Sequence, residues 1–201
     1  MASRLVLAAA AAVLLLSSCT TAEQGLPAPT NGGQEPQTTT EAELTAELPK
    51  RPRDLKLDSV DPCKLLVPAQ QAELKVGRVR PYSSTSETYR GAKGCAFEVK
   101  GGQFYDYDAL LVTTEGADAW LKEKRNVEMT PGAVADYGAI TYRLKGEGPN
   151  SAPCTTTIDV ADGQQLQVTT STMGKDFTQD QVCEMSEKAA SLVLTTLKTL
   201  A

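Results

Sequence analysis

Apolar residues fall along this chain in three regimes. Leu5 to Leu16 is an unbroken apolar run of twelve residues behind a single base, Arg4. A bilayer span needs about 18 to 20 such residues, so the run reads as the core of an export signal over residues 1–18. Residues 20–57 carry few large apolar side chains and no period; Gly25-Leu26-Pro27-Ala28-Pro29 leads through Gly32-Gly33 to Pro36-Gln37-Thr38-Thr39-Thr40. Such a stretch buries too little surface to offset the entropy of ordering, and it is expected to be a disordered tether. From 58 to 201 apolar positions recur with helix and strand spacing, over a length that suits one domain.

Asp61-Pro62-Cys63 opens that domain as an N-cap and a first-turn proline, with Leu65 and Leu66 facing inward. Pro68 ends this turn and starts a helix through Ala69, Ala72 and Leu74. Val67 at its cap has no side-chain acceptor, which leaves the junction weakly fixed. Residues 77–94 are polar and read as a loop or irregular edge. Cys95, Phe97 and Val99 alternate on one face of a strand, and Gly101-Gly102 returns the chain into a second strand from about Phe104 to Thr113.

A short helix over 115–126 follows, with Trp120 as its core anchor. Strands are expected around Ala133–Asp136, Ala139–Lys145, Cys154–Val160 and Gln165–Thr172. Side-chain parity favours a three-residue loop, Ala161-Asp162-Gly163, with Gly163 left-handed, because it sets Ile158 opposite Leu166. The last helix starts at Thr178, where Thr178 and Gln181 form a capping box. Its apolar stripe is Val182, Met185, Ala189, Val193, Leu197 and Leu200. Local hairpins dominate and no parallel crossover repeats. The expected fold class is α+β, an antiparallel twisted sheet with helices packed on it and two disulfides.

Cysteine usage adds location. Cys19 ends Leu16-Ser17-Ser18-Cys19, a lipobox at the close of the apolar run. Signal peptidase of the lipoprotein type cleaves before such a cysteine after its thiol is acylated, with palmitate among the chains attached. At roughly 0.8 kcal/mol per buried CH₂, several chains hold without a second membrane signal. The expected location is therefore the extracytoplasmic face of the cell membrane, with 19–57 as a lipidated tether. As a flexible coil its 38 unlipidated residues would span roughly 35 Å. Four cysteines remain, Cys63, Cys95, Cys154 and Cys183, an even number that implies two disulfides with three connectivities possible. No C-x-x-C and no histidine is present, so no metal site is expected.

The net charge of −5 hides an asymmetry. Residues 50–93 carry ten bases against five acids, and residues 94–201 carry nine bases against fifteen acids. A positive pole beside the tether and a negative body are the expectation.

The Asp61-Pro62-Cys63 start with Leu65-Leu66, then Cys95-Ala96-Phe97, then Cys154 opening a strand before a Gly-turned hairpin, then Cys183 in a terminal helix, form a set. With the lipobox, this set resembles the actinobacterial lipoproteins built on a domain of unknown function, over roughly residues 58–201. Members often have Trp where Phe97 stands, and Thr or Ser where Val67 stands. The resemblance implies Cys63–Cys95 and Cys154–Cys183 pairing, export and a small α+β domain. It implies no activity and no cofactor.

Without histidine, imidazole-dependent triads and zinc hydrolase motifs are excluded. Gly-x-Ser-x-Gly, Ser-x-x-Lys, Walker and dinucleotide motifs are absent. Asp106 and Asp108 share one strand face between Tyr105 and Tyr107, an arrangement that a glycosidase or a calcium site uses. The second candidate is basic and aromatic: Arg78, Arg80, Tyr82, Tyr89, Arg90 and Lys93, suited to anionic or sugar ligands. The function expected is a non-catalytic binding module for an envelope polymer, lipid or protein, with a carboxylate-based envelope hydrolase as the alternative. Nucleic acid is not an expected partner in this compartment.

Overall fold

A computed structural model describes residues 47–101, 105–146, 153–174 and 176–201. The export signal, Cys19, the tether as far as residue 46, and the Gly102 and Phe104 positions of the first hairpin lie outside the described residues.

Seven strands form one antiparallel sheet: β1 (Val76–Ser83), β2 (Lys93–Val99), β3 (Tyr105–Val112), β4 (Val127–Val134), β5 (Tyr137–Leu144), β6 (Cys154–Ala161) and β7 (Gln164–Thr172). Their order is β1-β2-β3-β7-β6-β5-β4, with every pairing antiparallel. Among the described residues three α-helices accompany them: α1 (Pro68–Glu73), α2 (Ala119–Lys122) and α3 (Gln179–Leu200), with a 3-10 turn at Pro62–Lys64. The α+β class holds, and so do both disulfides, Cys63–Cys95 and Cys154–Cys183. They close loops of 32 and 29 residues; on the chain-entropy model each contributes roughly 3 to 4 kcal/mol.

Alternation gives the sheet two different faces. Phe97, Ala109, Leu111, Ile158, Leu166 and Val168 share the inner face and are at most 2% exposed. They pack with Val182-to-Leu197 side of α3 through Ala189, Val193, Leu194 and Leu197, together with Leu65 and Leu66. On the expected stripe of α3, Leu200 is 48% exposed, because the helix runs past the sheet. The capping box stands: Gln181 N donates to Thr178 Oγ1 and Thr178 N to Gln181 Oε1.

Several expectations need correction. Of residues 77–94, 84–92 do form a loop and the edge position holds, but the edge is regular: β1 occupies Val76–Ser83, with little burial alternation, and Pro81 and its charges hide the strand signal. The strand expected from Ala133 begins at Val127, and the helix expected over 115–126 shrinks to Ala119–Lys122. Ile158 does face Leu166, but the extra residue sits as a bulge between Asp159 and Ala161; Ala161 pairs with Gln164 and only Asp162-Gly163 turns, with Gly163 at φ +68°. The α1 junction is not loose: Gln70 Oε1 accepts from Val67 N at 2.9 Å and from Thr196 Oγ1 at 2.8 Å, while Gln70 Nε2 donates to Leu192 O.

The boundary at residue 57 moves as well. Leu55 and Leu57 are at most 1% exposed in the inner core, whereas Leu48 packs in a second apolar cluster with Trp120, Ile140 and Tyr142. Ile140 and Tyr142 lie on the outer face, so residues 48–57 form a strap around one end of the sheet. Arg51 fastens it, pairing with Asp54 and Asp159 at 2.7 and 2.6 Å and also with Asp162. Arg53 donates to the carbonyls of Lys198 and Ala201 at the C-terminus of α3.

Candidate functional site

The outer face gathers the chemistry. Antiparallel register aligns Arg80, Ala96, Asp108, Thr169, Thr155 and Tyr142 in one row, and Tyr82, Gly94, Leu110, Gln167, Thr157 and Ile140 in the next. Both rows project from the side opposite α3, since their strand neighbours fill the inner core.

At the β1–β3 side the face is charged. Glu98 accepts from Arg78 Nε at 2.5 Å and Nη2 at 2.8 Å, and from Arg80 Nε at 3.1 Å. Asp106 Oδ1 accepts from Val99 N at 3.1 Å. Asp108, two residues on, accepts from the Tyr82 hydroxyl; burial first, then the Asp106 charge, pushes its carboxyl up to about 6. Burial and Asp108 together push the Tyr82 phenol up to about 12. The Tyr82 ring lies over Gly94, where a Cβ would approach within 2.4 Å of it. Only glycine permits that stacking across the strand pair.

Toward β5 and α2 the face is a buried polar network. Gln165, 0% exposed, accepts at Oε1 from Trp120 Nε1 (2.8 Å), Thr157 Oγ1 (2.6 Å) and Gln167 Nε2 (3.2 Å). Its Nε2 donates to Glu115 Oε1 at 3.0 Å and toward the carbonyls of Glu115 and Gly116. Donors on one side and acceptors on the other fix the amide orientation. Glu115 also accepts from Tyr89 Oη at 2.8 Å and from Arg125 Nη2 at 2.8 Å, and Arg125 donates to Tyr89 Oη and Glu123. Burial pushes the Glu115 carboxyl up, but Arg125, Tyr89 and Gln165 outweigh it and hold it below its ordinary range. Arg125 lies 4.2 Å above the Trp120 ring, which stacks on Tyr142 at 3.9 Å.

A cleft of about 500 Å³ opens at the rim beside the 3-10 turn, lined by Ser59, Val60, Asp61, Pro62, Pro81, Tyr82, Ser83, Lys93 and Gly94. A wider one of about 1010 Å³ lies between the strap and α2, with Arg51, Asp54, Asp118, Lys122, Asp159 and Asp162 on its walls.

The basic and aromatic set expected to act together is therefore divided. Arg78 and Arg80 are held by Glu98, Tyr89 is held by Glu115 and Arg125, and Tyr82 with Lys93 lines the rim cleft. Among the described residues neither Lys93 nor Arg90 has an ion-pair partner. Asp106 and Asp108 do share a face, but Asp106 is occupied by backbone. The two charge poles also partly cancel: Arg51 pairs with Asp159 and Asp162, Arg78 and Arg80 with Glu98, and Glu73 with Lys188. Opposite charges far apart in sequence meet at the strap and across the β1–β2 pair.

Glu115, Arg125, Gln165 and Gln167 escaped the sequence reading. The signal was present as Gln165, Gln167 and Thr169 alternating with Leu166, Val168 and Thr170, a strand with one polar face. Among the described residues no three His, Cys, Asp or Glu side chains cluster as metal ligands would, and no helix is long and apolar enough to cross a membrane.

Residues 14–196 match the model of a family described as a protein of unknown function, DUF3558, and the chain belongs to that family. No curated protein and no solved structure matches it.

Proposed function

From membership of a family defined by sequence and not by activity, we propose that the chain is an exported lipoprotein, anchored through acylated Cys19, whose domain binds an anionic envelope polymer or lipid without catalysis. The observation that carries the binding part is the rim cleft of about 500 Å³, where Lys93, in no ion pair among the described residues, lines the wall with the Tyr82 ring, the Ser59 and Ser83 hydroxyls and Asp61, whose carboxylate accepts from Cys63 N. Unpaired lysine with an aromatic face suits a phosphate or carboxylate borne on a sugar or glycerol unit. Arg90, on the loop joining β1 to β2, likewise forms no ion pair among the described residues and lies outside the lining of the cleft. Cys19→Ala is expected to leave the protein unprocessed or to release it to the medium, a fractionation experiment.

Binding is tested with the full chain on phosphatidylglycerol vesicles, phosphatidylcholine vesicles and isolated cell-wall polymer at rising salt. Near an anionic surface each base contributes on the order of 1 kcal/mol, so Lys93→Glu with Arg90→Glu should weaken binding tenfold or more. Preference for the vesicles assigns the lipid and preference for the wall preparation assigns the polymer. Equal binding to neutral and anionic surfaces would sink this reading.

A second reading, a carboxylate-based envelope hydrolase, has one observation in its favour: Asp108 is pushed up to about 6 two residues from a second carboxylate. Turnover of a wall glycan that disappears in Asp108→Asn would establish it.

A further inference from the structure

The rim cleft holds two opposite charges that do not meet. Asp61 lines it from the segment that leads into the 3-10 turn, and Lys93 lines it from the start of β2. Among the described residues neither belongs to an ion pair, with the other or with a third group. Asp61 Oδ1 caps the turn by accepting from Cys63 N at 3.0 Å, while its Oδ2 accepts from nothing among the described residues.

A covalent link sets the two sides of the cleft. Cys63, two residues after Asp61, is bonded to Cys95, two residues after Lys93, with their Cα atoms 5.1 Å apart. Asp61 leaves that cross-link through Pro62, and Lys93 leaves it along a paired strand that rises roughly 3.4 Å per residue. The backbone positions of both charges are therefore properties of the fold. The Tyr82 ring lies over Gly94, the residue next to Lys93, and lines the same cleft.

An anion alone would use Lys93 and leave Asp61 as a like charge in the cleft. A carboxylate oxygen and an aromatic face are the partners that an ammonium takes. We propose that the anion bound in the rim cleft carries a primary ammonium on the same unit. The anion pairs with Lys93, the ammonium donates to Asp61 Oδ2, and the carbons that join them rest on the Tyr82 ring. No bond is made or broken. This rests on the anion-binding reading of the cleft and narrows it to zwitterionic units. An aminoalkyl phosphodiester lipid headgroup and an amine-bearing envelope polymer share that chemistry.

The backbone amide shifts of Lys93 and Gly94 are followed in the full chain during titration with three soluble probes. Glycerophosphoglycerol, glycerophosphoethanolamine and N-acetyl-glycerophosphoethanolamine carry the same single phosphodiester charge, and only the second has an ammonium. It should bind at least fivefold more tightly than the other two. Asp61→Asn should bring it down to their level, because asparagine caps the turn as well as aspartate and only the charge is lost. Lys93→Gln should weaken all three. Equal affinities, a preference that survives Asp61→Asn, or no binding of glycerophosphoethanolamine overturns the proposal. Equal affinities that still fall in Lys93→Gln would leave the anion-binding reading standing, and affinities indifferent to Lys93→Gln would end both. Phosphatidylethanolamine vesicles and isolated cell-wall polymer, each before and after N-acetylation, then distinguish the lipid from the polymer, since binding to the true source should fall on acetylation.

Discussion

The two faces of the sheet are made by the same strands and are held by different forces. β7 sends Leu166 and Val168 inward and Gln165 and Gln167 outward, and all four are at most 5% exposed. Inside, burial is nonspecific in direction and depends on volume filled beneath α3. Outside, each buried group must find a partner, and Gln165 finds six atoms around one amide. The inner face therefore supplies stability, while the outer face fixes geometry and exposes hydroxyls, carboxylates and an amide oxygen to solvent.

The largest test of this contrast is Leu166→Ala. It removes a fully buried side chain opposite Ile158 and should cost about 2 to 5 kcal/mol through lost transfer energy and a cavity, read by denaturant unfolding with the slope unchanged. The outer face should keep its ligand preferences in that variant as long as it is folded. A loss under 1 kcal/mol would mean that the inner face is not the stabilising layer.

Asp108→Asn goes the other way. The carboxyl is raised in the fold from 3.8 to about 6, so the folded chain binds the extra proton and stability falls as pH rises through that interval. Asparagine removes this cost while still accepting from Tyr82. The variant should be more stable by about 2 kcal/mol at pH 7, allowing for solvent screening, with the gain vanishing at pH 3. A gain that is independent of pH would disprove the role of the charge.

The smallest effect is expected from Tyr89→Phe. It deletes the hydroxyl that joins the β1–β2 loop to Glu115 and Arg125, and should cost about 1 kcal/mol. Hydrogen exchange should rise in the loop 84–92 alone. Because the Glu115 carboxylate is held below its ordinary range, the wild-type latch contributes above that range and is lost as pH falls through the depressed value. Exchange spread evenly over β1 and β2 would show that the latch is not local.

What the sequence could and could not reveal follows from the range of each interaction. Strand alternation, the Thr178 capping box, the apolar stripe of α3 and the Ile158–Leu166 register are written in neighbouring residues, and they were readable. β1 was hidden because an edge strand needs little alternation and tolerates Pro81, Arg78 and Arg80. The strap was hidden because Leu55 and Leu57 become core residues only when Arg51 meets Asp159 and Asp162, more than one hundred positions later.

By itself, then, the sequence determined the class of the fold and its binary pattern, because periods of 2 and 3.6 residues are local properties of the backbone. Five of the six basic and aromatic candidates belong to the stretch from Arg78 to Arg90, so proximity in sequence made them look like one site. Tertiary structure separated them, since Glu98 of the neighbouring strand takes Arg78 and Arg80, Glu115 and Arg125 hold Tyr89, and Tyr82 and Lys93 turn to the rim cleft. It also decided that Gln165 and Gln167 are buried, because covering a polar face takes Tyr89 from the β1–β2 loop and Trp120 and Arg125 from the β3–β4 connection, and no local pattern encodes their meeting.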